Sequence, residues 1–181
     1  RFGHSWPGMA TGQTGMTTIT ATNDHCDFPP VETLVPHAAT MLLIDRVLAA
    51  DDEAMCTEVR ISKNSMFFTT GHGVPGYVGI EYIAQTVAAY SGWRVQSAAP
   101  GSTPKVGYLL GTRKMTMNCD WFDDGATLSI HVKNIFEDGE MGVFDGEVRN
   151  GDDILVSARI NVYQPNEPSP ATDSNQDTTD P

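Results

Sequence analysis

Residues Pro75-Gly76-Tyr77-Val78-Gly79-Ile80-Glu81-Tyr82-Ile83-Ala84-Gln85 open a segment that runs to about Ser97 and is apolar almost all round. Val78, Ile80, Ile83, Ala84, Val87, Ala88, Ala89 and Val95 leave it no polar face. A helix with that pattern belongs in the middle of a domain, not on its surface. Glu81, in its first turns, is the exception. Glu is almost never fully buried unless something pairs with it. A carboxyl forced into an apolar site has its pKa raised, which makes it a candidate proton donor near neutral pH. The other reading is a carboxylate that answers the helix dipole and reaches solvent.

The rest of the pattern is strands. Met41 to Leu48 reads as a short apolar strand, and Met55 to Ile61 alternates Thr57, Val59 and Ile61 against Glu58 and Arg60. After the helix come Val106 to Met117, the alternating Leu128, Ile130 and Val132, then Val143 to Val148 and Ile154 to Val162. Asp124-Gly125, Asp138-Gly139 and Asn150-Gly151 are hairpin signals between them. Strands with one polar face imply an antiparallel sheet with one face covered, and the apolar helix is the element available to cover it. The pattern predicts an α+β domain: a curved antiparallel sheet of about five to seven strands wrapped around one helix of roughly five turns, Tyr77 to Ser97. Such an open sheet leaves edge strands, and the helix's remaining face lacks a neighbour. A dimer, homo or hetero, with sheets joined edge to edge is expected.

The domain is expected over 31–165, between an N-terminal extension, 1–30, and an acidic tail, 166–181, both read as disordered. Met16 reads as a plausible natural start, and the opening residues lack the pattern of a signal peptide. A formal net charge of −12 and the lack of a basic stripe argue against nucleic-acid binding. No apolar run is long enough to span a bilayer without polar interruption. Cys26, Cys56 and Cys119 are scattered and odd in number, which fits reduced thiols in the cytoplasm better than a disulfide framework. No metal, nucleotide or flavin motif is present, so no cofactor is expected.

Leu34-Val35-Pro36-His37, followed by an apolar stretch ending in Asp45-Arg46-Val47, resembles the opening of the bacterial β-hydroxyacyl-ACP dehydratases, which have the hot-dog fold. Pro75-Gly76 with Glu81 and Ala84-Gln85 resembles their helix start, and Phe122-Asp123-Asp124-Gly125 a later strand turn. The stretches Val78 to Gln85, Gly107-Tyr108-Leu109-Leu110-Gly111-Thr112-Arg113 and Asn161-Val162-Tyr163-Gln164-Pro165 are similar to the dehydratases of aryl polyene clusters, the ApeP group. The resemblance spans about 32–163. It implies dehydration of a 3-hydroxyacyl thioester carried on acyl carrier protein, in fatty-acid or aryl polyene type biosynthesis.

That reaction needs a base for the α-proton, a donor for the departing β-hydroxyl, and a group to hold charge on the thioester oxygen. The resemblance carries the acid onto Glu81 and the oxyanion amide onto Gly76, where a helix-start N–H is unpaired and in positive potential. The base is open. His72 stands nine residues before Glu81, a shorter loop than the family uses, and only Gly73-Val74 separates it from Pro75. The alternatives are His72 in its pliable Gly71-His72-Gly73 loop, His37, or a partner chain; His131 reads as an outward strand residue at the surface. Gln85, one turn beyond Glu81, is placed to orient that carboxyl. Tyr77 and Tyr82 are candidates to line an acyl tunnel or to join the core. Lys105, Arg113 and Lys114 form a basic cluster suited to an acidic carrier protein or to ordinary solvation. Two other functions stay open: a non-catalytic subunit completing a heterodimeric dehydratase, and a hot-dog acyl-thioester hydrolase.

Overall fold

Helix α2, Gly79–Ala98, follows a single 3-10 turn, Gly76–Val78, and sits where the apolar segment predicts it. The computed structural model describes residues 28–36, 41–104 and 106–165. Residues 1–27 of the expected N-terminal extension 1–30, the expected tail 166–181, His37 and Lys105 lie outside the described residues. A four-residue helix, α1 (Val31–Leu34), precedes strands β1 (Arg46–Ala50), β2 (Ala54–Arg60) and β3 (Val74–Pro75). After α2 come β4 (Tyr108–Met117), β5 (Trp121–Phe122), β6 (Thr127–Asp138), β7 (Met141–Asn150) and β8 (Asp153–Tyr163). Six strands form one antiparallel sheet in the order β1-β2-β6-β7-β8-β4, curved around α2. Two residues each of β3 and β5 pair separately beside the helix start.

Alternation decides which face meets the helix. Met55, Thr57 and Val59 on β2, Leu128, Ile130 and Val132 on β6, and Val156, Ala158 and Ile160 on β8 are buried against α2. From the helix, Tyr82, Ile83, Val87, Ala89 and Tyr90 enter the same core. Each such Val, Ile or Tyr-sized side chain contributes roughly 1.5–3 kcal/mol by leaving water. Helix and sheet approach closely because Gly146 lacks a side chain: a Cβ there would fall 2.3 Å from Ile83 Cγ2. Polar groups in this layer are paired. Thr86 Oγ1 donates to Tyr82 O at 2.8 Å, so it accepts the Thr57 hydroxyl at 2.7 Å.

Three expectations need correction. Met41 to Asp45 is not strand; β1 begins at Arg46, because Met41 and Leu43 spend backbone groups on the side chain of Gln85. Asp124-Gly125 turns between β5 and β6, which belong to different sheets, so only Asp138-Gly139 and Asn150-Gly151 close hairpins. His131 is half-buried on the outer face of the sheet rather than at the surface, with Nε2 3.0 Å from Ser129 Oγ and 3.7 Å from Cys56 Sγ.

Burial, reinforced by Arg149 and opposed by Glu147, lowers the His131 pKa below its ordinary 6.5. The unfolded chain therefore binds the extra proton first, and stability is fully present above about 6.5 and falls as pH drops toward the lower folded value. Melting measured at about pH 7.5 and about pH 5.5 is expected to show a smaller acid-side loss for His131→Gln than for the wild type. Equal losses would show that His131 does not contribute.

Candidate active site

The helix start is built by the small β3–β5 pair. Val74 pairs with Phe122 and Pro75 with Trp121, which brings Gly76 against the chain at Asp120. A Cβ on Gly76 would lie 2.6 Å from Cys119 O, so the close approach needs glycine. The Gly76 N–H donates to Asp120 O at 2.8 Å. The amide expected to hold the thioester oxygen is thus engaged within the chain.

Glu81 lies in the first turn of α2. It is half-buried, not enclosed. Gln85, 1% exposed, fixes it: Nε2 donates to Glu81 Oε1 at 2.9 Å and to Met41 O at 2.8 Å, while Oε1 accepts Leu43 N–H at 2.7 Å. One amide therefore ties the entering 41–43 segment to the carboxylate one turn away. Among the described residues Glu81 Oε2 takes no hydrogen bond.

Glu81 opens onto a cleft of about 110 Å³. Its floor is a helix stripe, Glu81, Ala84, Ala88 and Ser91, and its wall includes Tyr108 and Val162 from the β4 and β8 ends. Spacings of three and four residues keep that stripe on one face. The segment that reads as apolar all round is thus buried on one side and, along a row of small residues, half-open on the other. Mostly apolar lining with one fixed carboxyl suits a ligand that pairs an apolar chain with a polar reacting end. Ser91, Tyr108 and Ala88 are not among the site candidates that the sequence offers. The small-residue row was the available signal, but without the β4 and β8 ends it has no wall.

Among the described residues, the other candidates do not line this cleft. His72 is exposed and its ring is stacked on Trp121, ring centroids 4.8 Å apart, while its backbone N–H donates to Thr69 O. Tyr77 is 61% exposed, neither tunnel nor core, whereas Tyr82 is core, packed at 5.8 Å on Phe122. Arg113 is exposed on β4, opposite Arg159 of β8. Thiol chemistry finds no support: burial pushes Cys56 up to about 12 and raises Cys119 as well, so both stay protonated near neutrality. Among the described residues no cluster of His, Cys, Asp and Glu could hold a metal, and no helix is long and apolar enough to cross a membrane.

Residues 29–173 match the family model of the ApeP-like dehydratases. Comparison with curated proteins yields no match. Among solved structures, the chain is similar to one in the dehydratase heterocomplex ApeI:P from Xenorhabdus doucetiae, with TM-score 0.71 and 30% identity over 77% of this chain and 93% of that one. It is also similar to a hypothetical thioesterase, with coenzyme A, from Streptococcus pneumoniae TIGR4: TM-score 0.52, 10% identity, 68% of this chain and 88% of that one. The PaaI protein of the E. coli phenylacetic acid degradation operon matches at TM-score 0.50 and 12% identity, over 65% and 80%. At such identities these two share the fold alone. The matched family model, the heterocomplex relative and the sheet wrapped on one helix lead to one conclusion: the chain belongs to the ApeP-like family of hot-dog dehydratases, acting as a dehydratase or dehydratase-like subunit in aryl polyene biosynthesis.

Proposed function

We propose that this chain is the acid-bearing half of a heterodimeric 3-hydroxyacyl thioester dehydratase whose base comes from a second hot-dog chain. The observation that carries it is the division within the site. Glu81 is fixed by Gln85 at the cleft, while His72 is held on Trp121 away from it. In the reaction, the partner's imidazole takes the α-proton and Glu81, protonated, gives its proton to the leaving β-hydroxyl, which departs as water. The enoyl thioester remains, with Glu81 as carboxylate and the imidazole protonated; exchange with water resets both. The relative from Xenorhabdus doucetiae is part of a dehydratase heterocomplex, which supports the pairing. We place the substrate on the phosphopantetheine arm of acyl carrier protein, with the acyl chain along Ala84, Ala88 and Ser91. The cytoplasm suits it, since Cys56 and Cys119 are free.

The test is an assay of 3-hydroxyacyl-carrier-protein turnover to the enoyl product. The purified chain alone is expected to be silent. Mixing with a His-bearing hot-dog dehydratase from the same gene cluster is expected to restore turnover, unchanged by His72→Ala. Robust activity alone that vanishes in His72→Ala would make the chain self-sufficient and overturn the proposal. Release of free acid instead of enoyl product would mark a thioester hydrolase.

A further inference from the structure

Strand β4 ends the sheet, so one of its edges is unpaired within the chain. It is ten residues long and exposed almost throughout, with Tyr108, Leu109, Leu110, Met115 and Met117 among the exposed apolar side chains. A long apolar edge of this kind pairs with whatever strand it meets unless something limits it. At its middle stand two adjacent cations, Arg113 and Lys114, in a chain of net charge −12. The ladder to β8 breaks register between Arg113 and Thr116, and Lys114 takes a left-handed conformation, φ 54°. Both the lysine and the bulge are devices that limit edge pairing, yet here they sit between two apolar ends. Arg113 faces Arg159, whose guanidinium is already held by Asp145 at 2.6 and 2.7 Å. Among the described residues neither Arg113 nor Lys114 has a salt-bridge partner.

Self-pairing makes those cations collide. A twofold dimer uses the same patch twice, and antiparallel pairing that keeps most of β4 places its axis near the strand's middle. Arg113 and Lys114 of one copy then lie within about two positions of the same residues of the other. Each like-charge pair weakens association by roughly 1.5- to 5-fold, and several such pairs converge at the axis. Carboxylates in that position on a different strand would reverse the sign. We propose that β4 is a partner-selective edge, which disfavours a second copy of this chain and accepts the edge strand of another hot-dog dehydratase bearing carboxylates opposite Arg113 and Lys114. It rests on the heterodimer reading above and adds what selects the partner.

Sedimentation of the full chain, alone and mixed with the His-bearing dehydratase of its gene cluster, tests this. The wild type alone is expected to be monomeric at micromolar concentration. Arg113→Glu puts a carboxylate beside the Lys114 ammonium, a self-complementary pair, and is expected to dimerise. Arg113→Glu with Lys114→Glu is expected to weaken binding to the partner by at least about tenfold, and high salt to weaken the wild-type complex. Both positions are exposed, and unchanged melting verifies that the variants fold. A wild type that dimerises alone, or an Arg113→Glu variant that stays monomeric, overturns the selectivity. Partner binding untouched by the double reversal overturns it too while leaving the heterodimer standing. A wild type that binds no such partner, with Arg113→Glu still dimerising, removes the heterodimer reading and the hetero half of this proposal with it.

Discussion

Glu81→Gln is expected to cut turnover of the assembled dehydratase by at least about a hundredfold, the low end for a positioned general acid or base. The substitution keeps the shape of the side chain and leaves an oxygen for the Gln85 amide, which now donates at 2.9 Å to Glu81 Oε1. What it removes is the proton that the β-hydroxyl needs in order to leave as water. Stability should change little. The carboxylate sits in the first turn of α2, where its interaction with the helix dipole is worth about 0.3–1 kcal/mol. In a domain of this size that corresponds to no more than about 4 °C in melting temperature. Turnover by the heterodimer and melting of the chain alone are the two readouts. Full turnover in the variant would place the acid elsewhere, and a collapse of melting with turnover intact would make Glu81 structural.

The fold was legible because its largest signals are local. An apolar segment without a polar face can only be central, and alternation along β2, β6 and β8 names the residues that meet it. Asp138-Gly139 and Asn150-Gly151 close their hairpins with Gly139 and Gly151 both at φ 59°, a conformation their sequence advertises. What sequence could not supply depends on partners far along the chain. Met41 to Asp45 has strand composition, but Gln85, more than forty residues away, takes its backbone groups. The Val74–Phe122 pairing is two residues long and carries no periodicity, yet it is what brings Gly76 N–H to Asp120 O. Glu81 and Gln85 were legible from their one-turn spacing. The cleft was not, since its wall comes from Tyr108 and Val162, each distant from the helix in sequence. His72 is the clearest case: the loop around it reads as pliable, and only the stack on Trp121 shows where the ring rests.

Gln85→Leu should lower both stability and turnover, because a single buried amide serves three groups. Leucine is close in volume and suits the apolar surroundings, so the effect isolates hydrogen bonding from packing. Leu43 N–H, part-buried, loses its acceptor, and Met41 O loses a donor although it lies near the surface. An unsatisfied buried group costs about 1–3 kcal/mol, and the Leu43 amide sets most of it here. The expected fall in melting temperature is about 2–12 °C for a chain of this size. Glu81 meanwhile loses the only hydrogen bond that fixes it among the described residues. A misplacement of about 1 Å at a reacting group costs about a hundredfold in rate, and turnover of the heterodimer should fall to that extent. Gln85→Glu separates the two effects. Its carboxylate can still accept Leu43 N–H, which spares that contact, but it faces both Met41 O and Glu81 with an acceptor. Two carboxyls at that distance do not both ionise, so one proton is shared and the pH profile of turnover should shift while Gln85→Leu only lowers it. A Gln85→Leu variant with wild-type turnover and reduced melting would confine Gln85 to holding the 41–43 segment and leave Glu81 to position itself.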